Sequence, residues 1–128
     1  MGKVLVVDDN AVSRELMRAV LERACDELLE ASDGREALNL IMETTPDLVL
    51  LDIELPLMDG FSVLKSIRGD PRFTRLPVFA VTANAMEGDR EKALAAGFDA
   101  YITKPIDGAA LRKCVVVVLA SGEMHGCR

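Results

Sequence analysis

The stretch LVLLDIELPLMDG spans residues 48–60 and carries the strongest structural signal in the chain. Its first four residues are all aliphatic, which predicts a short strand buried on both faces, as in a parallel sheet. Asp52 follows this run directly, and Asp59-Gly60 is a turn signal that precedes another apolar, periodic segment. The stretch therefore predicts a buried strand that ends in a carboxylate and leads through a loop into a helix.

Similar short runs recur on both sides of this stretch, separated by longer segments with helical spacing. The predicted strands are 4–7, 27–31, 48–51, 78–81 and 100–103. Strands that alternate with helices form a parallel sheet with helices on both faces. We therefore predict an α/β fold, a doubly wound five-stranded parallel sheet of the flavodoxin-like (βα)5 type with strand order 2-1-3-4-5.

The predicted helices begin and end at residues suited to capping. Asn10 and Asp33 can each cap the helix that follows, and Gly97 suits the position just after a helix end. After Asn10 the apolar residues recur at helical intervals, from Val12 and Leu16 onward.

The segment Cys114–Leu119 is ambiguous, because its four consecutive valines have high strand propensity and would suit a sixth strand. Asp107, however, can cap a helix, and β-branched residues lower helix propensity only slightly. We therefore predict a final helix. Its sheet-facing residues would be Leu111, Val115, Val118 and Leu119.

Composition limits the function classes. The chain has 128 residues and a net charge of −6, which argues against a large nucleic-acid contact surface. No apolar run approaches the roughly 20 residues of a membrane helix, and the first residues lead straight into a strand rather than a secretory signal. We expect one domain over residues 1–121, a frayed tail over residues 122–128, a cytoplasmic location and no membrane partner.

Chemically versatile residues stand where the predicted strands end. They are Asp8 and Asp9, Asp52, Thr82, and Lys104. Ligands of open α/β sheets bind beyond the carboxyl ends of the strands, so these side chains are expected to share one cleft. Converging carboxylates repel one another unless a cation such as Mg²⁺ joins them, and an ammonium and a hydroxyl suit phosphoryl oxygens. A single strand-end Asp more often caps a helix, so only the joint pattern indicates a site.

These motifs resemble those of the receiver domains of two-component response regulators, and the resemblance covers about residues 3–119. It is closest to the receivers of hybrid kinases and phosphorelays. The matching segments are Asp8-Asp9, residues 52–60, Thr82-Ala83 and residues 101–106, with Arg14, residues 84–86, Gly88-Asp89, Ala96-Gly97 and Asp99-Ala100 as further matches.

The resemblance implies a phosphoacceptor switch rather than a turnover enzyme. Asp52 would take a phosphoryl group from a phosphohistidine of a sensor histidine kinase or histidine phosphotransfer protein. Mg²⁺, for which Mn²⁺ can substitute, would bind Asp9, Asp52 and the backbone carbonyl of Glu54, with Asp8 acting through water. Lys104 would bridge to the phosphoryl group.

The resemblance also implies a relay and a tuned lifetime. Thr82 would move toward the phosphoryl group and Tyr101 would swing inward, which changes the surface of the fourth helix, fifth strand and fifth helix. Activated homodimers are one form of that output. Glu54 and Asn84 occupy the positions that tune the phosphorylated lifetime. The family further implies a cis peptide bond before Pro105, and the turn at Gly60 suggests a positive φ.

Two rival hypotheses share part of this pattern. Haloacid dehalogenase phosphatases also use a strand-end Asp, Mg²⁺, a hydroxyl and a Lys, but their nucleophile follows the first strand and their acidic pair comes late. Here the acidic pair comes first. A receiver that has lost phosphorylation usually lacks one of the acidic pair, the acceptor and the Lys, and all are present here.

Overall fold

A five-stranded parallel sheet lies at the centre of the computed structural model, which describes residues 2–55, 58–83 and 86–121. The strand order β2-β1-β3-β4-β5 confirms the prediction. The elements are β1 Lys3–Val7, α1 Ala11–Leu21, β2 Glu27–Ala31, α2 Gly34–Thr44, β3 Leu48–Asp52, α3 Gly60–Arg68, a 3-10 turn Pro71–Phe73, β4 Val78–Thr82, α4 Asp89–Ala96, β5 Ala100–Thr103 and α5 Gly108–Ser121.

Apolar residues cover both faces of the sheet, because alternate side chains of a strand point to opposite faces. On β1, Val4 and Val6 pack with residues of α1 and α5, whereas Leu5 and Val7 pack with residues of α2 and α3. The central strands β3 and β4 are buried along their whole length. The polar residues at their carboxyl ends, Asp52 and Thr82, are therefore held by rigid, fully paired strands.

Side-chain caps fix the helix starts as predicted. Asn10 Oδ1 accepts from the backbone N–H groups of Val12 and Ser13, and Asp33 Oδ1 accepts from the N–H of Glu36. Gly97 ends α4 with a φ of 120°, a conformation that L side chains rarely adopt.

The apolar periodicity of α1 predicted the helix but does not mark its buried face. Val12 and Leu16 are 63% and 64% exposed, while Met17 and Leu21 lie in the core. The buried face is set by where the helix crosses β1 and α5, which the local pattern does not contain.

The final segment forms a helix rather than a sixth strand. Leu111, Val115 and Val118 are buried against the sheet and Leu119 packs beside them, as predicted. Asp107 caps the helix by accepting from the N–H of Ala110 at 3.1 Å. Burial of one helical face outweighs the strand propensity of the valine run.

The predicted positive φ at Gly60 is wrong, since the described glycines with positive φ are Gly2, Gly88 and Gly97. Gly60 is instead the first residue of α3 and lies against the loop that follows β3. A Cβ at this position would come within 2.6 Å of Ile53 Cα and 3.1 Å of the Asp52 carbonyl oxygen. Close backbone approach is therefore the reason for glycine here.

Two further expectations concern the C-terminal tail and membrane-spanning helices. The predicted frayed tail falls on residues 122–128, which lie outside the described residues. Across the described ranges, every helix is too short or too polar to cross a bilayer.

Candidate functional site

The predicted strand-end residues meet in one cleft at the carboxyl edge of the sheet. Asp8 follows β1, Asp52 ends β3, Thr82 ends β4 and Lys104 follows β5. The cleft opens where the strand order reverses between β1 and β3, the point at which open α/β sheets bind ligands.

Three carboxylates form an acidic cluster in this cleft. Asp8, Asp9 and Asp52 each offer an oxygen, and these oxygens lie within 4.8 Å of one another. Asp8 and Asp52 are 4% and 5% exposed, whereas Asp9 is exposed at the rim. Oxygen donors at this spacing, two of them buried, match the chemistry of a hard divalent cation such as Mg²⁺.

Lys104 neutralises part of this charge. Its Nζ donates to Asp8 Oδ2 at 2.9 Å and to Asp52 Oδ2 at 3.3 Å, and the Lys104–Pro105 peptide bond is cis, as expected. Burial opposes the charge on the ammonium, but its bonds to Asp8 and Asp52 outweigh this and raise the pKa of Lys104 above its ordinary value. Lys104 is therefore held as a cation against both buried carboxylates.

Local hydrogen bonds hold the buried acids in place. The backbone N–H of Asn10 donates to Asp8 Oδ1 at 2.9 Å, and that of Glu54 donates to Asp52 Oδ1 at 2.8 Å. Arg14 Nη1 also donates to the Asp8 carbonyl oxygen at 2.6 Å. Each carboxylate therefore has one oxygen fixed by a backbone N–H and the other facing Lys104.

The Glu54 side chain makes a contact that the sequence did not reveal. Its Oε1 accepts from the Thr82 hydroxyl at 2.7 Å and from the Ala83 N–H at 3.2 Å. Glu54 and Thr82 are 28 residues apart, and only the proximity of the β3 and β4 ends signals such a bond. The other predicted lifetime-tuning residue, Asn84, lies outside the described residues.

Tyr101 points inward in this structure. It is 7% exposed, and its hydroxyl is buried with no hydrogen-bond partner within the described part of the chain. Burial, followed by the nearby carboxylates of Asp89 and Glu54, raises the pKa of Tyr101. The predicted switch pair thus consists of a buried Thr82, 1% exposed, and an inward Tyr101.

Burial raises the pKa of Asp52 above its ordinary value, and Asp8 adds to the rise. The Glu54 N–H and Lys104 oppose it without cancelling it. The folded state therefore binds the Asp52 proton more tightly than the unfolded state does. Stability from this group is fully present below the unfolded pKa and is lost as pH rises through the raised folded pKa.

Asp52→Asn is therefore expected to raise the unfolding free energy of the metal-free protein at neutral pH. Asn has the same side-chain shape as Asp and can still accept a hydrogen bond from the Glu54 N–H. Lys104 keeps its ion pair with Asp8 in this variant. Urea unfolding with a chelator measures the effect, and the gain over wild type should shrink as pH falls toward about 3.9, the ordinary pKa of Asp. A less stable variant at neutral pH would contradict the raised pKa of Asp52 in the folded state.

Comparison with known proteins agrees with this fold. The family of response regulator receiver domains matches residues 4–116, which is most of the chain. The protein therefore belongs to the receiver domains of two-component response regulators.

Particular relatives include the polar-differentiation response regulator DivK of Brucella anthropi, 43% identical over 103 residues, 80% of this chain and 84% of the relative. Among solved structures, the receiver domain of the Francisella response regulator 1452 superposes with a TM-score of 0.86 at 29% identity, covering 96% of this chain and 100% of that one. The receiver domain of sensor histidine kinase PA1611 from Pseudomonas aeruginosa PAO1, solved with a magnesium ion coordinated in its active site cleft, has a TM-score of 0.84 at 33% identity, covering 94% and 98%.

Proposed function

We propose that this chain is a phosphoacceptor switch in which Asp52 takes a phosphoryl group from a phosphohistidine of a sensor histidine kinase or histidine phosphotransfer protein. The observation that carries the proposal is the convergence of Asp8, Asp9 and Asp52 on one cleft with Lys104 bonded to two of them. An isolated helix-capping Asp would need neither the other two carboxylates nor the ammonium.

The chain's own residues position the reaction. Asp52 Oδ1 is fixed by the Glu54 N–H, so the carboxylate presents its remaining lone pairs to the cleft. An Asp52 oxygen bonds to phosphorus as the P–N bond breaks, and that electron pair stays on the imidazole nitrogen of the donor. Lys104 neutralises charge on the phosphoryl oxygens, and the Thr82 hydroxyl donates to one of them. Phosphoryl transfer depends mainly on such positioning and charge neutralisation.

The acidic cluster fits Mg²⁺, with Mn²⁺ as a substitute. Asp9, Asp52 and the Glu54 backbone carbonyl would hold the ion, and Asp8 would act through water. Bound there, the ion supplies charge neutralisation for the transferring group. The excess of three carboxylates over one ammonium in the cleft supports this assignment, as does the magnesium ion in the related Pseudomonas domain.

The signal would leave the site through Thr82 and Tyr101, which lie on adjacent strands. Tyr101 pairs in register with Ala80 of β4, two residues before Thr82. A shift of Thr82 would therefore change the packing beside Tyr101 and the surface formed by α4, β5 and α5. On α5, Val117 is exposed, and an exposed apolar side chain suits a partner protein or an activated homodimer. The protein would catalyse only its own phosphorylation and dephosphorylation and would not turn over a separate substrate. It would contact neither nucleic acid nor a membrane.

Acetyl phosphate tests the proposal directly. With Mg²⁺ present, the intact mass of the protein should rise by one phosphoryl group, and borohydride reduction followed by peptide mapping should place the acyl phosphate at Asp52. An unchanged mass, or a phosphate mapped to Ser or Thr, would refute the proposal. Sustained hydrolysis of phosphomonoesters would instead support a phosphatase.

Asp9→Asn tests the metal in the same assay, because it removes one proposed ligand at the exposed rim. The Mg²⁺ concentration for half-maximal phosphorylation should rise about tenfold, the loss expected for one charged ligand. Asp47→Asn, an exposed acid before β3 at the opposite edge of the sheet, is the matched control and should behave as wild type. Equal Mg²⁺ dependence in all three proteins would remove Asp9 from the metal site.

A further inference from the structure

The Glu54 carboxylate occupies two hydrogen-bond donors at the end of β4. The Thr82 hydroxyl and the Ala83 N–H both point at the same oxygen, Oε1, at 2.7 and 3.2 Å. Two donors from consecutive residues that converge on one anionic oxygen form a small anion-binding pair. Thr82 is 1% exposed with this carboxylate in place.

The same residue is also bonded to the proposed phosphoacceptor. The Glu54 N–H donates to Asp52 Oδ1 at 2.8 Å. The backbone of Glu54 therefore contacts Asp52, while the Glu54 side chain contacts Thr82. A phosphoryl group on Asp52 would require the Thr82 hydroxyl for one of its oxygens. That group and the Glu54 carboxylate are both anions, and they cannot share the same donors.

We propose that Glu54 is a built-in competitor of the phosphoryl group, which holds the Thr82–Ala83 donor pair before phosphorylation and is displaced when Asp52 is modified. This inference rests on the proposed function, because it assumes that Asp52 carries the phosphoryl group.

The proposal also explains the position of Tyr101. Tyr101 is already buried here, with Thr82 bonded to the Glu54 carboxylate. Glu54 thus occupies the Thr82 hydroxyl before phosphorylation, and the inward position of Tyr101 accompanies this contact. Without this carboxylate, Thr82 loses one acceptor, and we expect Tyr101 to become more accessible to solvent until an anion on Asp52 takes the place of the carboxylate.

Beryllofluoride, a phosphoryl mimic, measures the competition. With saturating Mg²⁺, calorimetric titration should show about tenfold tighter binding to Glu54→Ala than to wild type, since one charge-assisted bond no longer has to break. Glu54→Gln should fall between them, because its amide oxygen still accepts but carries no charge. Both variants keep the backbone carbonyl and N–H of residue 54. Unchanged or weaker binding in Glu54→Ala would overturn the proposal.

Two controls separate competition for the donors from simple charge repulsion. Glu43→Ala removes an exposed carboxylate near the end of α2, at the opposite end of the strands, and should bind beryllofluoride as wild type does. Thr82→Val removes the hydroxyl but keeps the side-chain shape. In that background, Glu54→Ala should tighten binding much less, as in a double-mutant cycle. An undiminished effect would show that repulsion alone acts and would overturn the proposal.

Tyr101 provides a readout that does not depend on phosphorylation. It is the single Tyr in a chain without Trp, so the intrinsic fluorescence reports on this residue alone. Without beryllofluoride, acrylamide should quench Glu54→Ala at least about twofold more efficiently than wild type, because Tyr101 becomes accessible. Equal quenching would overturn the proposal. If wild type bound no beryllofluoride yet this difference were seen, the proposed function would fail while the Glu54 contact stood.

Discussion

Replacing Lys104 with alanine is expected to slow phosphorylation of Asp52 by acetyl phosphate about 100-fold at saturating Mg²⁺. The loss corresponds to the removal of one preorganised charge aimed at the transferring group. Lys104 Nζ lies 2.9 Å from Asp8 Oδ2 and 3.3 Å from Asp52 Oδ2, so it faces the position that a phosphoryl oxygen would take. Mass spectrometry of timed samples gives the rate.

The same substitution leaves two buried carboxylates without their ammonium. The metal-free variant should therefore lose about 2 kcal/mol of unfolding free energy, less than for a fully buried pair because the Lys104 side chain is 24% exposed. Mg²⁺ should recover part of this loss, since it binds the native state. The control is Lys113→Ala, which removes an exposed ammonium of α5. A phosphorylation rate equal to that of wild type would exclude Lys104 from the chemistry.

The fold could be predicted from the sequence because each buried strand carries its own signal. The limits of β5, Ala100–Thr103, agree with the prediction, and β1 extends the predicted strand by Lys3 alone. A doubly wound sheet then dictates which strand ends are neighbours. This is why Asp8, Asp52 and Lys104 could be placed in one cleft before any distances were known.

The features that could not be predicted from the sequence depend on the path of the chain between helices and strands. The Glu54–Thr82 bond requires the loop after β3 to turn its side chain toward β4, and no local pattern fixes that direction. The buried face of α1 could likewise not be predicted, because the exposed residues Val12 and Leu16 have the same spacing as buried residues of a helix. Periodicity identifies a helix, but packing decides which of its faces is buried.

The sequence identifies Gly60 as a required glycine, but the reason is close backbone contact rather than a positive φ. Its replacement is expected to have the second large effect on stability. Gly60→Ala should lower the unfolding free energy by about 3 kcal/mol, because its Cβ would meet backbone atoms that cannot rotate away. The nearest are Ile53 Cα at 2.6 Å and the Asp52 carbonyl oxygen at 3.1 Å. Relief would have to move the loop that carries Glu54, so phosphorylation of the folded fraction should also slow. Urea unfolding and the acetyl phosphate assay measure the two effects.

Gly108→Ala is the matched control, since Gly108 is likewise the first residue of a helix. A Cβ there would meet Val20 side-chain carbons, the nearest at 3.1 Å, and these can shift. Its unfolding free energy should stay within about 1 kcal/mol of wild type, because alanine also has the higher helix propensity. If Gly60→Ala proved no more destabilising than Gly108→Ala, the close approach of α3 to the loop that follows β3 would not be what holds that loop in place.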